Sequence, residues 1–111
     1  MEWKNLEAEA QLDAIMEESR KHPVVIFKHS TRCSISSMAK GRLDKHAAPE
    51  GTSFYYLDLI ANRNLSNRIA EIFNVHHESP QVLLIRNGEC VYEESHNGIY
   101  FEEILDQIQA A

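Results

Sequence analysis

Cys33 is followed three positions later by Ser36. Before it comes a polar turn, His29-Ser30-Thr31-Arg32, which leaves the apolar run Val24-Val25-Ile26-Phe27. Beyond Cys33 the pattern becomes helical, with Ile35, Met38, Ala39 and Leu43 on one side. A cysteine at such a strand–turn–helix junction lies at or just before the first helical turn. There the unpaired backbone N–H groups and the positive end of the helix dipole stabilise a thiolate. Lys28, His29 and Arg32 add positive charge nearby. The thiolate is the attacking species in thiol–disulfide exchange, and electropositive helix starts are where reactive cysteines sit. The polar neighbours Arg32 and Ser34 favour this reading over that of a small core residue. A second feature is Ser79-Pro80, directly before the strand run Gln81 to Ile85. A proline opening a strand costs no ladder hydrogen bond, and the sequence leaves open whether its peptide bond is cis.

These residues need a scaffold, and the periodicity supplies one. Leu6 to Lys21 carries Ala8, Leu12, Ile15, Met16 and Ser19 at helical spacing, and Pro23 ends it. Val24 to Phe27 is the continuous β-branched and aromatic run of a strand buried on both faces. Phe54 to Leu59 reads as the next strand, and Asn62 to Asn74 as a helix striped by Leu65, Ile69, Ile72 and Phe73. Val82 to Ile85 and Cys90 to Glu93 flank Asn87-Gly88, a strong two-residue hairpin signal. Phe101, Ile104, Leu105 and Ile108 form a closing amphipathic helix. The predicted order is α-β-α-β-α-β-β-α. Alternating strands and helices imply parallel crossovers, and the hairpin adds an antiparallel edge. The expectation is an α/β fold with one mixed four-stranded sheet and helices on both faces. Trp3 reads as a hydrophobic anchor for the first helix.

Composition narrows the function. At 111 residues the chain is expected to be one domain, 1–111, with a modest core of its own. A net charge of −6 lacks the basic footprint of a nucleic-acid binder. The longest apolar runs are too short to cross a membrane. The start Met1-Glu2-Trp3-Lys4-Asn5 does not resemble a signal peptide. The two cysteines are too few for a disulfide framework or a structural zinc site. A cytoplasmic protein with free thiols, no metal and no bound cofactor is expected.

Taken together, Phe27 to Ser36, Ser79-Pro80-Gln81-Val82 and the Asn87-Gly88 hairpin resemble the thioredoxin superfamily. Its active site is a C-x-x-C or C-x-x-S motif after the central strand, faced by a cis-proline. More closely, over nearly all its length, the chain resembles the monothiol bacilliredoxins, and His29-Ser30-Thr31-Arg32-Cys33-Ser34-Ile35-Ser36 carries most of that match. The resemblance implies that Cys33 is the nucleophile and that Ser36 stands where dithiol members keep a resolving cysteine. It implies a thiol–disulfide oxidoreductase that removes bacillithiol from S-bacillithiolated proteins through a mixed disulfide on Cys33. A low-molecular-weight thiol (bacillithiol) or another redoxin would then release Cys33. Arg32, Ser36, His29 and Pro80 would support the site. Bacillithiol carries a malate with two carboxylates, so Arg32 is a candidate bidentate anchor. Ser95 to Gly98 lead into the last helix, whose N-terminal N–H groups suit an anion. Ser79, Asn97 and Gly98 are therefore candidate small-thiol contacts, although for Asn97 and Gly98 a plain turn and cap explains the residues as well.

Cys90 does not fit as a resolving thiol. In the inferred topology it opens the last strand at the far end of the sheet, some five strand residues at ~3.3 Å, or roughly 16 Å, from the Pro80 end. A disulfide needs Cα atoms within ~7 Å. His76-His77 read as cations at a helix C-terminus, and His22 and His46 as surface residues. His29 either tunes Cys33 or simply ends its strand. Two other functions compete: a glutaredoxin-like iron–sulfur cluster carrier, disfavoured by the lack of glycine in Cys33-Ser34-Ile35-Ser36, and a non-catalytic interaction module with an ordinary thiol at Cys33.

Overall fold

A computed structural model describes residues 1–110. The strands are β1 (Trp3–Asn5), β2 (Val24–His29), β3 (Ser53–Asp58), β4 (Gln81–Arg86) and β5 (Glu89–Ser95); the helices are α1 (Ala10–Glu18), α2 (Ser34–Asp44), α3 (Arg63–Phe73) and α4 (Phe101–Gln109). They form one mixed sheet of five strands in the order β1-β3-β2-β4-β5. β2 runs parallel to β3 and antiparallel to β4, which pairs antiparallel with β5. All six residues of β2 are buried, as its unbroken apolar start implies. Along it, Val24 and Ile26 join the core formed with Leu12 and Ile15 of α1 and Leu65 and Ile69 of α3. Val25 and Phe27 join the core formed with Ala39 and Leu43 of α2 and Phe101 and Ile104 of α4. Helices thus cover both faces, and the α/β expectation holds.

The sheet has one strand more than expected. Trp3–Asn5 pairs in parallel with Phe54–Tyr56 and becomes an edge. Three residues are too few to display a period of two, which is why the strand was invisible in the sequence. Trp3 does not anchor α1. Its ring packs on Phe27 at 5.5 Å and Phe54 at 6.0 Å, on the α2 and α4 face, and its Nε1 donates to Asp44 at the end of α2. The extended strand also delays α1, which starts at Ala10 rather than Leu6. The Leu6 N–H donates to the Tyr56 carbonyl at 2.9 Å, continuing the strand path. Gln11 Oε1 then accepts from the N–H groups of Glu7 and Ala8, which turns the chain into the helix.

The hairpin is built as its sequence demands. Asn87 and Gly88 have φ of 51° and 75°, the double positive value of a type I′ turn. Their N–H groups donate to the Ser19 carbonyl and hydroxyl at 2.9 Å each, fastening the turn to the end of α1.

Candidate active site

β2 delivers the chain to the site, and α2 starts it again. Cys33 is the N-cap residue of α2, with extended φ and ψ of −110° and 123°. Its N–H donates to the Ser30 carbonyl at 3.1 Å, closing the turn, and its own carbonyl accepts the Ser37 N–H at 3.0 Å, the first helical bond. Cys33 is part-exposed, between exposed Arg32 and exposed Ser34. Helical N–H groups therefore gather beside a thiol that a reactant can reach.

Ser36 faces inward and is fully buried. Its hydroxyl oxygen accepts the Ser30 N–H at 2.9 Å, and its proton goes to His29 Nδ1 at 2.7 Å. That assignment requires a neutral imidazole with its proton on Nε2. A neutral ring is favoured: burial chiefly, and the Lys40 charge after it, push the His29 pKa below its ordinary 6.5 against the pull of Asp58, Asp44 and the Ser36 hydrogen bond. The His29 ring also packs between Phe27 and Tyr56, each centroid 5.7 Å away. His29 thus ends the strand and grips Ser36, whose hydroxyl also holds the Ser30 N–H of the turn before Cys33.

The Ser79–Pro80 peptide bond is cis. The register pairs Lys28 with Gln81, so one further step along β4 brings Pro80 beside His29, at the end of the sheet from which Cys33 emerges. The loop before it leaves α3 at Asn74, in the left-handed conformation. Three ties hold the loop. Gln81 Nε2 donates to the His76 carbonyl at 3.0 Å, the His96 N–H donates to the Pro80 carbonyl at 3.0 Å, and Lys28 Nζ lies 3.3 Å from His77 Nδ1. Ser79 Oγ is buried and, among the described residues, has no hydrogen-bond partner.

Several sequence expectations change here. His77 is not a helix-end cation: burial chiefly, together with the Lys28 charge, lowers its pKa below 6.5, and its Nδ1 faces Lys28 and the Ser66 hydroxyl. Lys28 does not lie beside Cys33 as surface charge. It points to the opposite face from His29 and is wholly buried. Asn97 and Gly98 form a short 3-10 turn, His96–Gly98, against α2. The Glu94 side chain lies so close over Gly98 that a Cβ there would meet its carboxylate at 2.7 Å. Glu102 and Glu103 occupy the first turn of α4. The chain's own carboxylates therefore take the positive end where an anion was expected, and like charge disfavours a second one. Arg32 stays exposed and open to a ligand. Cys90 pairs with Ile85 at the hairpin end of β4, whereas the Cys33 turn follows the other end of β2. Its thiol is pushed above its ordinary pKa, chiefly by burial, and donates to the Tyr92 carbonyl.

Comparison with known proteins agrees with this geometry. Residues 4–104 match the family model described as monothiol bacilliredoxin BrxC. A solved structure described as a candidate oxidoreductase with a thioredoxin fold superposes with a TM-score of 0.82 at 34% identity, covering 96% of this chain and 92% of that one. Thioredoxin from Trypanosoma brucei brucei superposes with a TM-score of 0.77 at 15% identity, over 98% of this chain and 93% of its own. Malassezia sympodialis thioredoxin gives 0.75 at 14% identity, over 96% and 88%. The last two establish the fold alone. No helix of the described residues is long and apolar enough to cross a membrane.

Proposed function

The chain belongs to the monothiol bacilliredoxin family, a redox family on the thioredoxin fold, and from that premise we propose that it removes bacillithiol from S-bacillithiolated proteins through Cys33. One observation carries the monothiol part of this reading. Three residues after the N-cap thiol, where a resolving cysteine would close an internal disulfide, stands a buried serine whose hydroxyl is already engaged with Ser30 and His29. A disulfide formed on Cys33 has no neighbouring thiol to open it, since Cys90 lies at the other end of the sheet.

The exchange balances without an outside oxidant. The Cys33 thiolate attacks the bacillithiol sulfur of a protein–bacillithiol disulfide. A bond forms between Cys33 Sγ and that sulfur, the bond to the target breaks, and the target leaves as a thiolate that takes a proton from solvent. A second bacillithiol thiolate, or the thiol of another redoxin, then attacks the adduct and frees Cys33. This chain contributes three things: the N-cap placement of the thiol, the turn locked by Ser36 and His29, and the cis-proline loop against which the incoming disulfide is set. Arg32 is the proposed contact for a bacillithiol carboxylate, through a bidentate fork, and Ser79, on the loop at the same end of the sheet, is a second proposed contact through its backbone. The cytoplasm, where bacillithiol is the small thiol, is the proposed site of action.

The test is turnover of a reporter protein bearing one bacillithiolated cysteine, with excess bacillithiol. The wild type and Cys90→Ser should both restore the free thiol, and Cys33→Ser should not. Full activity in Cys33→Ser would exclude this function.

A further inference from the structure

The buried cluster around Lys28 has no part in the exchange step. The Lys28 ammonium donates to the Ser66 carbonyl of α3 at 3.1 Å and to His77 Nδ1 at 3.3 Å, and the Ser66 hydroxyl lies 3.3 Å from the same nitrogen. The neighbouring strands contribute Leu57 and Gln81, the register partners of Lys28. The amide nitrogen of Gln81 is held by the His76 carbonyl and by Glu93 of β5, and its buried oxygen has no partner among the described residues. Arg63 of α3 and Glu78 and His76 of the loop are the charges that act on His77. Among the described residues no carboxylate accepts a hydrogen bond from Lys28. A buried ammonium without a counter-ion costs stability that an apolar residue of the same length would not. What it achieves in return is a tie between β2, α3 and the loop that ends in Ser79–Pro80.

We propose that Lys28 is a positioning residue for the cis-proline loop: its ammonium clasps His77 to the Ser66 carbonyl and so sets where Ser79 and Pro80 stand beside the strand that delivers Cys33. The proposal rests on Cys33 being the exchange thiol, but not on bacillithiol being the thiol exchanged. The clasp is strongest with Lys28 protonated and His77 neutral. Burial brings the Lys28 pKa down from 10.5 to about 8, so the charge-assisted bonds weaken above that pH. Thiol exchange otherwise rises with pH as thiolate forms. A loop that slackens in alkali therefore gives a falling limb that simple thiol chemistry does not have.

The experiment compares wild type, Lys28→Met, His77→Ala and the double variant from about pH 6 to about pH 9.5, a span that brackets the buried lysine. Two single-cysteine reporters are used, one carrying bacillithiol and one carrying glutathione. Alkylation of Cys33 by iodoacetamide is followed in parallel, because it needs the thiol and not the loop. On whichever reporter the wild type turns over, Lys28→Met is expected to slow exchange about tenfold at neutral pH, the scale of a modest loss of positioning. The falling limb should vanish, alkylation should be unchanged and the melting temperature should not drop. His77→Ala should have a similar effect, and the double variant no greater one. If Lys28→Met fails to fold, Lys28→Gln, which keeps polarity without charge, takes its place. Wild-type exchange by the lysine variant at every pH, or alkylation that slows in step with exchange, would overturn the proposal. Turnover of the glutathione reporter alone would refute the bacillithiol reading and leave this one intact; turnover of neither would remove both.

Discussion

Ser36→Ala separates a serine that merely replaces a cysteine from one that holds the active-site turn. The side chain is fully buried, and its hydroxyl serves two groups, accepting the Ser30 N–H at 2.9 Å and donating to His29 Nδ1 at 2.7 Å. Alanine leaves both without that partner, His29 in a buried site and the Ser30 N–H in a partly buried one. Each orphaned buried group costs about 1–3 kcal/mol, so two cost about 2–4 kcal/mol when the surroundings relax in part. At about 2.1 cal/mol/K per residue, the unfolding entropy of a 111-residue chain converts this to a fall in melting temperature of about 9–17 °C. Urea unfolding at pH 7 under reducing conditions gives the free energy, and exchange of the Ser30 amide proton with solvent locates the damage. His29 adds a pH dependence with a definite sign. Its folded pKa lies below 6.5, so the stability it contributes is present above 6.5 and drains away as pH falls through the lowered value. A melting shift under about 2 °C, with the Ser30 amide as protected as before, would refute this role for Ser36.

Iodoacetamide should modify Cys33 much faster than Cys90 at neutral pH, as read by peptide mass mapping, because burial raises the Cys90 thiol pKa while Cys33 caps a helix N-terminus; equal rates would contradict the placement of the two thiols. Burial favours protonation of Glu18, but the Ser53 and Tyr55 hydroxyls, Lys4 and His22 together hold its pKa below 4.5, so its stabilisation is present above 4.5 and lost as pH falls through the lowered value. Glu18→Gln should therefore cost about 1–2 kcal/mol at pH 7 and little at pH 3, measured by urea midpoints. Gly88→Ala should cost about 1–2 kcal/mol, since φ is +75° and the new Cβ would meet Met16 Cε at 3.2 Å; an unchanged urea midpoint would argue against the hairpin geometry.

Much of the fold was legible because its signals are local and periodic. β2 announces itself as a continuous apolar run, α3 as a stripe, and the hairpin as Asn87-Gly88 with both φ angles positive. Cys33 could be placed at a helix start because the switch from strand pattern to helix pattern happens around it. What stayed hidden depends on partners far away in sequence. β1 exists only because β3 is there to pair with it. Lysine is a surface residue by default, and nothing local shows that Lys28 alternates inward toward Ser66 and His77. His77 follows a helix and so resembled a dipole-stabilised cation, but the chain leaves that helix at Asn74 and folds His77 back onto β2. That Glu94 folds over the turn at Gly98, where an anion was expected, is equally invisible in the local sequence.

The most direct test of the central claim is the mass of the intact protein, with peptide mapping, after brief separate exposures to oxidised bacillithiol and to glutathione disulfide. The account predicts a rapid adduct on Cys33 with bacillithiol and a slower one with glutathione. Equal rates would contradict a dedicated bacillithiol contact at Arg32 and Ser79. An adduct on Cys90 in place of Cys33, or none on Cys33, would contradict the active site itself.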